Sequence, residues 1–394
     1  MKYVILCGDG MGDYPVADLG NKTILQAADI PNMRRIAAAG EVRMVQTVPE
    51  ELAPGSDVAN LGLLGYDARE NYTGRAPIEA AGAGLPMSPD DVALRCNLVT
   101  VRDGRMEDYS AGHISTDEGR AIVADLDKAL GKPGLRFHGG VQYRHLILWN
   151  KGPVNISTQP PHDIAGKPVA DHLPSGDGAE GLRALMEASK PILANHPVNR
   201  ARIARGENPA TQIWLWGQGR AMKLQTYREK FGMGGGVISA VDLVRGLGVL
   251  AGLEAPVVPG ATGFLDTNYE GKVAAGLSIL DREDFAYIHI EAPDECGHIG
   301  DWRKKKQAIE DFDRRVVGPV WAALEKRGEP YRLVVTMDHR TPVAIRGHTR
   351  EPVPMAVLNG PVGAVTREAA FDETVKDGKA ECMSFTWVTE LLKR

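Results

Sequence analysis

The sequence predicts an α/β fold, with a central, mostly parallel sheet flanked by helices and interrupted by an inserted α+β cap. Three observations carry this reading. The apolar runs YVILCG, FAYIHIEA and YRLVVT have the near-continuous hydrophobicity of parallel strands covered on both faces. Segments of helical period follow such runs near both ends of the chain, the rhythm of an α/β layer architecture. Between about residues 83 and 206 the texture changes, and loose Gly/Pro-rich stretches bound that region.

In chain order, Tyr3–Cys7 reads as the first strand. A helix follows from Pro31, well placed in a first turn, to about Ala39, with Gly40 as its stop. A strand near Glu41–Thr47 begins a βαβ pattern and leads into the turn-rich ELAPGSDVANLGLLGYD. GRAPIEAAGAGLPMSPDD reads as a hinge and VALRCNLVTV as a strand, with a hairpin-like turn at Arg102-Asp103-Gly104. Ser115-Thr-Asp-Glu118 has capping-box spacing and opens a helix that Gly131 closes. RFHGGVQYRHLILW and a helix from near Asp177 to Ala194 complete the α+β unit, and ANHPVNRARIARGENPATQ reads as the second hinge. The expected organisation is a discontinuous core, 1–82 and 207–394, around a cap at 83–206.

Beyond 206 the reading returns to the core. IWLWG is a strand, a helix lies near Ser239–Leu250, and FAYIHIEA is a strand. One long helix is expected from about Asp301 to Lys326, with Trp302, Ile309, Phe312, Val316, Val320 and Leu324 at helical spacing. YRLVVT is the next strand and MSFTWVTELL a terminal helix.

Composition narrows the function. With 43% hydrophobic and 25% charged residues and a net charge of −5, the chain reads as an ordinary globular protein, so nucleic acid and membrane are not expected partners. The N-terminal apolar run is too short for a signal-peptide core, and no run approaches the ~20 residues of a membrane span. Cys7, Cys96, Cys296 and Cys382 are scattered without CxxC spacing, as in a reduced compartment, and a cytoplasmic location is expected.

Asp9 follows the first strand-like run, Asp294 and His298 follow FAYIHIEA, and Asp338-His339 follows YRLVVT with His348 in the next loop. Open parallel sheets place ligands at the carboxyl ends of their strands. Three carboxylates and three imidazoles there suit divalent metals and suffice for two ions, and such mixed ligation admits Mn2+, Zn2+, Mg2+ or Co2+. Asp294-x-x-x-His298 alone would be a common surface pair; its partners give it weight. Ser56, in PGSDVAN, opens an apolar helix and could be a plain N-cap. It could equally be a nucleophile activated by coordination, at a helix N-terminus suited to a phosphoryl group. Arg75, Arg95, His113, Arg144, His145, His162 and Arg220 lie in or near the cap and hinges, where arginines could clamp an anionic substrate. Gly246-Leu-Gly248 lacks the spacing and strand context of a dinucleotide fingerprint, and no Walker A motif occurs.

DGMGDYP, PGSDVANLGLLGYD, TGRAPIEAAG, VISAVDL, EAPDECGH and DHRTP with the later RGH and PVP form an ordered series over nearly the whole chain. This series resembles the archaeal-type cofactor-independent (2,3-bisphosphoglycerate-independent) phosphoglycerate mutases of the alkaline phosphatase superfamily. The resemblance implies an alkaline-phosphatase-like core and a binuclear metal site, with Asp9, Ser56, Asp338 and His339 on one ion and Asp294, His298 and His348 on the other. It implies that Ser56 accepts the phosphoryl group as 3-phosphoglycerate and 2-phosphoglycerate interconvert. The partner expected is a small anionic phosphorylated substrate, with the protein a monomer or homo-oligomer. Arg75, Arg95, His113, Arg144, His162 and Arg220 are the candidate substrate-binding residues. The chain departs from the family where RAGR becomes SAGH and RGN becomes RCN, placing His113 at a cation's position. That leaves open a related activity on the same scaffold, a homoserine kinase-like enzyme or a phosphatase.

Overall fold

The structure, a computed structural model, describes residues 1–393. It divides into two compact units, 1–72 with 223–393, and 73–222. The strands in chain order are β1 (Lys2–Gly8) and β2 (Glu41–Gln46), then β3 (Asp91–Arg102), β4 (Arg105–Asp108), β5 (Leu135–Val141), β6 (Arg144–Asn150), β7 (Ile156–Ser157), β8 (Ser175–Gly176) and β9 (Gln212–Arg220) in the second unit. The chain returns to the first unit with β10 (Gly235–Ile238), β11 (Phe285–Ile290), β12 (Tyr331–Thr336), β13 (Val353–Gly360) and β14 (Cys382–Met383).

Among the described residues the first unit holds a seven-stranded sheet in the order β10-β11-β1-β12-β13-β2-β14. β10, β11, β1 and β12 are mutually parallel, while β13 runs against both β12 and β2. Every residue of β11, and of β1 from Tyr3 to Gly8, is buried, as expected where helices cover both faces. β1 and β2 do not adjoin, because β12 and β13 lie between them; the expected local βαβ pattern is completed by distant strands.

Register positions the chemistry. Gly8 pairs with Ile290 and Cys7 with Thr336, so Asp9 stands just past the strand ends, level with Glu291 on one side and Asp338 on the other. Helix Ala292–Ile299 starts directly after β11, with Pro293 in its first turn, and carries Asp294 and His298 one turn apart.

The expected Asp301–Lys326 helix is helical throughout but not uniform. An α-helix, Trp302–Phe312, widens into a π turn at Asp313–Val317 before a second α-helix, Gly318–Arg327. Pro319, two residues past the π turn, lacks an N–H and would crowd the carbonyl of an ordinary turn, a strain the wider turn relieves.

The second unit is built on the long strand β3, which pairs antiparallel with β4, β6 and β9, while β6 pairs with β5. Helices Thr116–Leu130 and Ala179–Ala194 and the buried apolar side chains of this sheet form its core. The Ser115–Glu118 capping box is present with both of its hydrogen bonds.

Both boundaries of this unit differ from the sequence reading. TGRAP opens a helix, Arg75–Gly82, instead of a hinge, and IWLWG is part of β9 in this sheet instead of a core strand. The stretch 195–211 contains helix Pro197–Ala204, N-capped by His196 through Val198 N at 3.2 Å. Composition could not reveal these placements, because pairing of β9 with β3 is a contact between strands more than a hundred residues apart.

Candidate active site

Asp9, Ser56, Asp294, His298, Asp338, His339 and His348 all belong to the first unit and form one chain of contacts. Ser56 begins helix Ser56–Leu63, and its Oγ lies 3.1 Å from His339 Nε2. The same nitrogen is 3.5 Å from Asp9 Oδ1 and 3.5 Å from Asp338 Oδ2. The rings of His339 and His348 stand 4.1 Å apart, and His348 Nε2 is 3.4 Å from Asp294 Oδ1. His298 Nε2 completes the cluster, 3.2 Å from Asp294 Oδ2 and 3.0 Å from His348 Nε2. The cluster is closed at one end and open at the other: the Asp338 and His339 side chains are 0% exposed, those of His348 and His298 21% and 36%.

Hydrogen bonds around the cluster hold its members in place. Asp338 Oδ1 accepts from the backbone N–H groups of Gly10 (3.0 Å) and His339 (2.9 Å), and Oδ2 from Asn60 Nδ2 (2.9 Å). Asn60 also donates to the Ser56 carbonyl at 2.8 Å and accepts from the Tyr287 hydroxyl. His298 Nδ1 lies 3.0 Å from the Arg346 carbonyl, which places a proton on Nδ1 and turns Nε2 inward. Thr341 Oγ1 donates to Asp294, and Lys305 Nζ, fully buried, ties the Gly12 and Thr341 carbonyls and Asp13, each at 2.8 Å.

The electrostatics are those of crowded acceptors. Burial, reinforced by the charges of Asp338 and Asp294, raises the Asp9 carboxyl well above the usual carboxylate range. Burial opposes ionisation of Asp294 too, but His348 and His298 outweigh it and hold that carboxyl well below its ordinary value. Burial pushes the His339 imidazole down to about 4, leaving it neutral with a free lone pair near neutral pH. His298, although desolvated, is raised to about 9 by Asp294.

Two groups of these side chains offer ligand atoms within 4.8 Å of one another: Asp9, Asp338 and His339, and Asp294, His339 and His348. Asp9 Oδ1 is buried without a hydrogen-bond partner, an arrangement that a cation would relieve. Mixed carboxylate–imidazole donors with an orphaned carboxylate oxygen fit divalent metal ions.

The candidate binding residues of the second unit fall into two sets. Arg75 Nε and Arg95 Nη1 both donate to Glu79 Oε1, at 2.9 and 2.8 Å, and both guanidinium groups stand over the Trp216 ring. His162 meets the edges of Trp216 and Tyr109, Tyr109 meets Tyr143, and Arg144 covers Tyr143 at 5.3 Å. Burial lowers Arg95 to about 10. His145 is buried with Nδ1 accepting from Gly140 N, so it belongs to the interior of the unit. His113 is exposed on a left-handed turn (φ 50°), and Arg220 is exposed at the end of β9.

Sequence reasoning missed His289, Glu291, Lys272, Tyr287 and Thr341, which surround or support the metal-type cluster. The available signal was polar: a histidine inside the otherwise apolar FAYIHIEA, and a glutamate just past the end of that strand.

An α/β sheet with carboxylates, imidazoles and a serine gathered at its strand ends is an arrangement of the phosphoryl-transfer type, with candidate divalent-metal groups beside a buried serine hydroxyl. A family model described as 2,3-bisphosphoglycerate-independent phosphoglycerate mutase matches residues 37–199. The enzyme so named from Methanothrix thermoacetophila is 52% identical over 373 residues, covering 95% of this chain and 94% of that one. The solved structure of the PH0037 protein from Pyrococcus horikoshii has a TM-score of 0.81 at 26% identity, covering 99% of this chain and 97% of that one. The cofactor-independent phosphoglycerate mutase from Thermoplasma acidophilum has a TM-score of 0.61 at 26% identity, covering 99% and 98%. The chain belongs to the 2,3-bisphosphoglycerate-independent phosphoglycerate mutase family.

Proposed function

We infer that this protein interconverts 3-phosphoglycerate and 2-phosphoglycerate without 2,3-bisphosphoglycerate, through a phosphoserine on Ser56. The observation that carries the reading is the Ser56 hydroxyl, 3.1 Å from His339 Nε2 inside a cluster of three aspartates and three histidines. Family membership supports the substrate.

In the first half-reaction Ser56 Oγ attacks phosphorus, the bond to the substrate's O3 breaks, and the phosphoryl group rests on the serine. The glycerate then turns so that O2 attacks the same phosphorus, the bond to Ser56 breaks, and the free serine is restored. Asp9, Asp338, His339 and Ser56 would hold one divalent ion, and Asp294, His298 and His348 a second, with Mn2+ the first expectation. Bound there, divalent ions neutralise phosphate charge and lower the pKa of the serine hydroxyl. Asn60 holds the Ser56 carbonyl and Asp338 together, which fixes the nucleophile relative to the carboxylate. The N-terminus of helix Ser56–Leu63 directs its dipole toward the phosphoryl group. The Arg75–Arg95–Arg144 set of the second unit is the candidate binder of the glycerate carboxylate.

The deciding experiment is an enolase-coupled assay on the purified protein with Mn2+ and 3-phosphoglycerate, in the absence of bisphosphoglycerate. Metal-dependent formation of 2-phosphoglycerate is expected. Release of inorganic phosphate alone would make the protein a phosphatase and overturn the mutase reading.

A further inference from the structure

His289 is fully buried on β11, immediately behind the metal-type cluster, and none of the chemistry above uses it. Its two ring nitrogens face carboxylates on opposite sides: Nε2 lies 3.3 Å from Asp9 Oδ2 and 4.0 Å from Asp338 Oδ2, and Nδ1 lies 3.3 Å from Glu291 Oε1. These are contacts at charge-pair distance, and neither ring nitrogen makes a hydrogen bond as the side chains stand.

Glu291 is itself immobilised. Its Oε1 accepts from Ser239 Oγ at 2.6 Å and Ala240 N at 2.7 Å, and its Oε2 pairs with the buried Lys272 ammonium. Lys272 also donates to the His289 carbonyl at 3.2 Å, so it secures both ends of the pair. The Tyr287 ring lies nearly parallel to the imidazole, at 16° and 6.3 Å, and its hydroxyl is tied to Asn60. The ring is fully buried among these groups.

The consequence falls on Asp9. Its Oδ2 faces His289, while its Oδ1 faces His339 at 3.5 Å and has no hydrogen-bond partner. We propose that His289, held between Glu291 and Asp9, is a positioning residue that faces one oxygen of Asp9 and leaves the other to the metal. Groups that orient a metal-binding carboxylate in this way commonly set metal affinity over about a 10–100-fold range. This inference rests on the metal-dependent reading of Ser56 chemistry given above.

Two amide substitutions separate the two ring nitrogens. In His289→Gln the amide nitrogen reaches the place of Nε2 and can still donate to Asp9. In His289→Asn the shorter amide reaches only the place of Nδ1, toward Glu291. Both are polar and of similar bulk, so a general folding defect would affect them alike. Calorimetric titration of the whole metal-free chain with Mn2+ alone is the primary readout, and the Mn2+ concentration for half-maximal mutase activity is the second. His289→Asn is expected to weaken one Mn2+ binding step by about 10–100-fold and to regain kcat at saturating Mn2+. His289→Gln is expected to stay within about threefold of the parent protein in both readouts.

Equal Mn2+ affinity in both variants and the parent would reduce His289 to a packing residue and overturn the proposal. Equal loss in both would do the same, because the effect would not depend on which ring nitrogen the amide replaces. A parent protein that binds no Mn2+ would overturn the metal-dependent reading along with this one, which distinguishes the two failures.

Discussion

Ser56 Oγ and His339 Nε2 lie 3.1 Å apart although 283 positions separate them in the chain. The serine comes from a helix N-terminus in the first segment, the histidine from the end of β12. The parallel pairing of β1 with β12, Cys7 level with Thr336, registers the two segments against each other.

Ser56→Ala should therefore reduce mutase turnover by at least about a thousandfold, because both half-reactions pass through its oxygen. Incubation with substrate labelled at phosphorus should mark the parent protein and leave the variant unmarked. A variant with appreciable turnover would exclude the phosphoserine route.

Metal removal is expected to be visible without any substrate. Chelation should lower the melting temperature and abolish activity, and Mn2+ should restore both. At a free concentration of one hundred times the dissociation constant the stabilisation is about 2.7 kcal/mol. A melting temperature indifferent to chelator and to Mn2+ would count against a structural metal site.

The Asp9 carboxyl sets a pH dependence of the metal-free protein. A carboxyl raised in the folded state costs nothing below its unfolded value, about 4, and disfavours folding increasingly as pH rises from there to its folded value, above which the cost is constant. Asp9→Asn removes that cost, so the metal-free variant should be more stable than the metal-free parent around pH 7. The advantage should shrink toward about pH 4, and added Mn2+ should no longer stabilise the variant. Denaturant titrations at several pH values would measure it; a difference independent of pH would refute the assignment.

Arg95 is 4% exposed and engages Glu79 with one guanidinium nitrogen, beside Arg75 and over Trp216. Arg95→Lys keeps a charge but loses the planar fork. If this set binds the glycerate carboxylate, the KM for 3-phosphoglycerate should rise by about tenfold with a smaller change in kcat. An unchanged KM in a folded variant would move carboxylate recognition elsewhere.

Asp313 offers a test of the scaffold. Helix Pro31–Ala39 has no side-chain cap of its own, and Asp313 supplies one by accepting from Met33 N at 2.7 Å and Asn32 N at 3.2 Å. Asp313→Ala should cost about 1–3 kcal/mol in urea denaturation while leaving the KM unchanged. A loss comparable to that of an exposed substitution, below about 0.5 kcal/mol, would show that water replaces the cap.

Strand periodicity and local chemistry made much of this protein legible. YVILCG, FAYIHIEA and YRLVVT read as buried parallel strands because hydrophobicity is written continuously along them. Asp9, Asp294 and Asp338 stood out because each followed one of those runs. His289 did not, since a histidine within an apolar strand looks the same whether it packs or positions; its meaning comes from Asp9 and Glu291 on either side. The second unit was harder for a similar reason. The helix in TGRAPIEAAG and the strand in IWLWG are local features, but nothing local states that β9 pairs with β3.

What the sequence determined by itself, then, was the kind of chemistry and the strands whose ends carry it, because residue type and period are local properties. Tertiary structure decided which donors meet at one point, which oxygen of Asp9 is free, and which distant carboxylate caps the Pro31 helix. Those are consequences of strand register and of burial, which arise only when segments hundreds of residues apart come into contact.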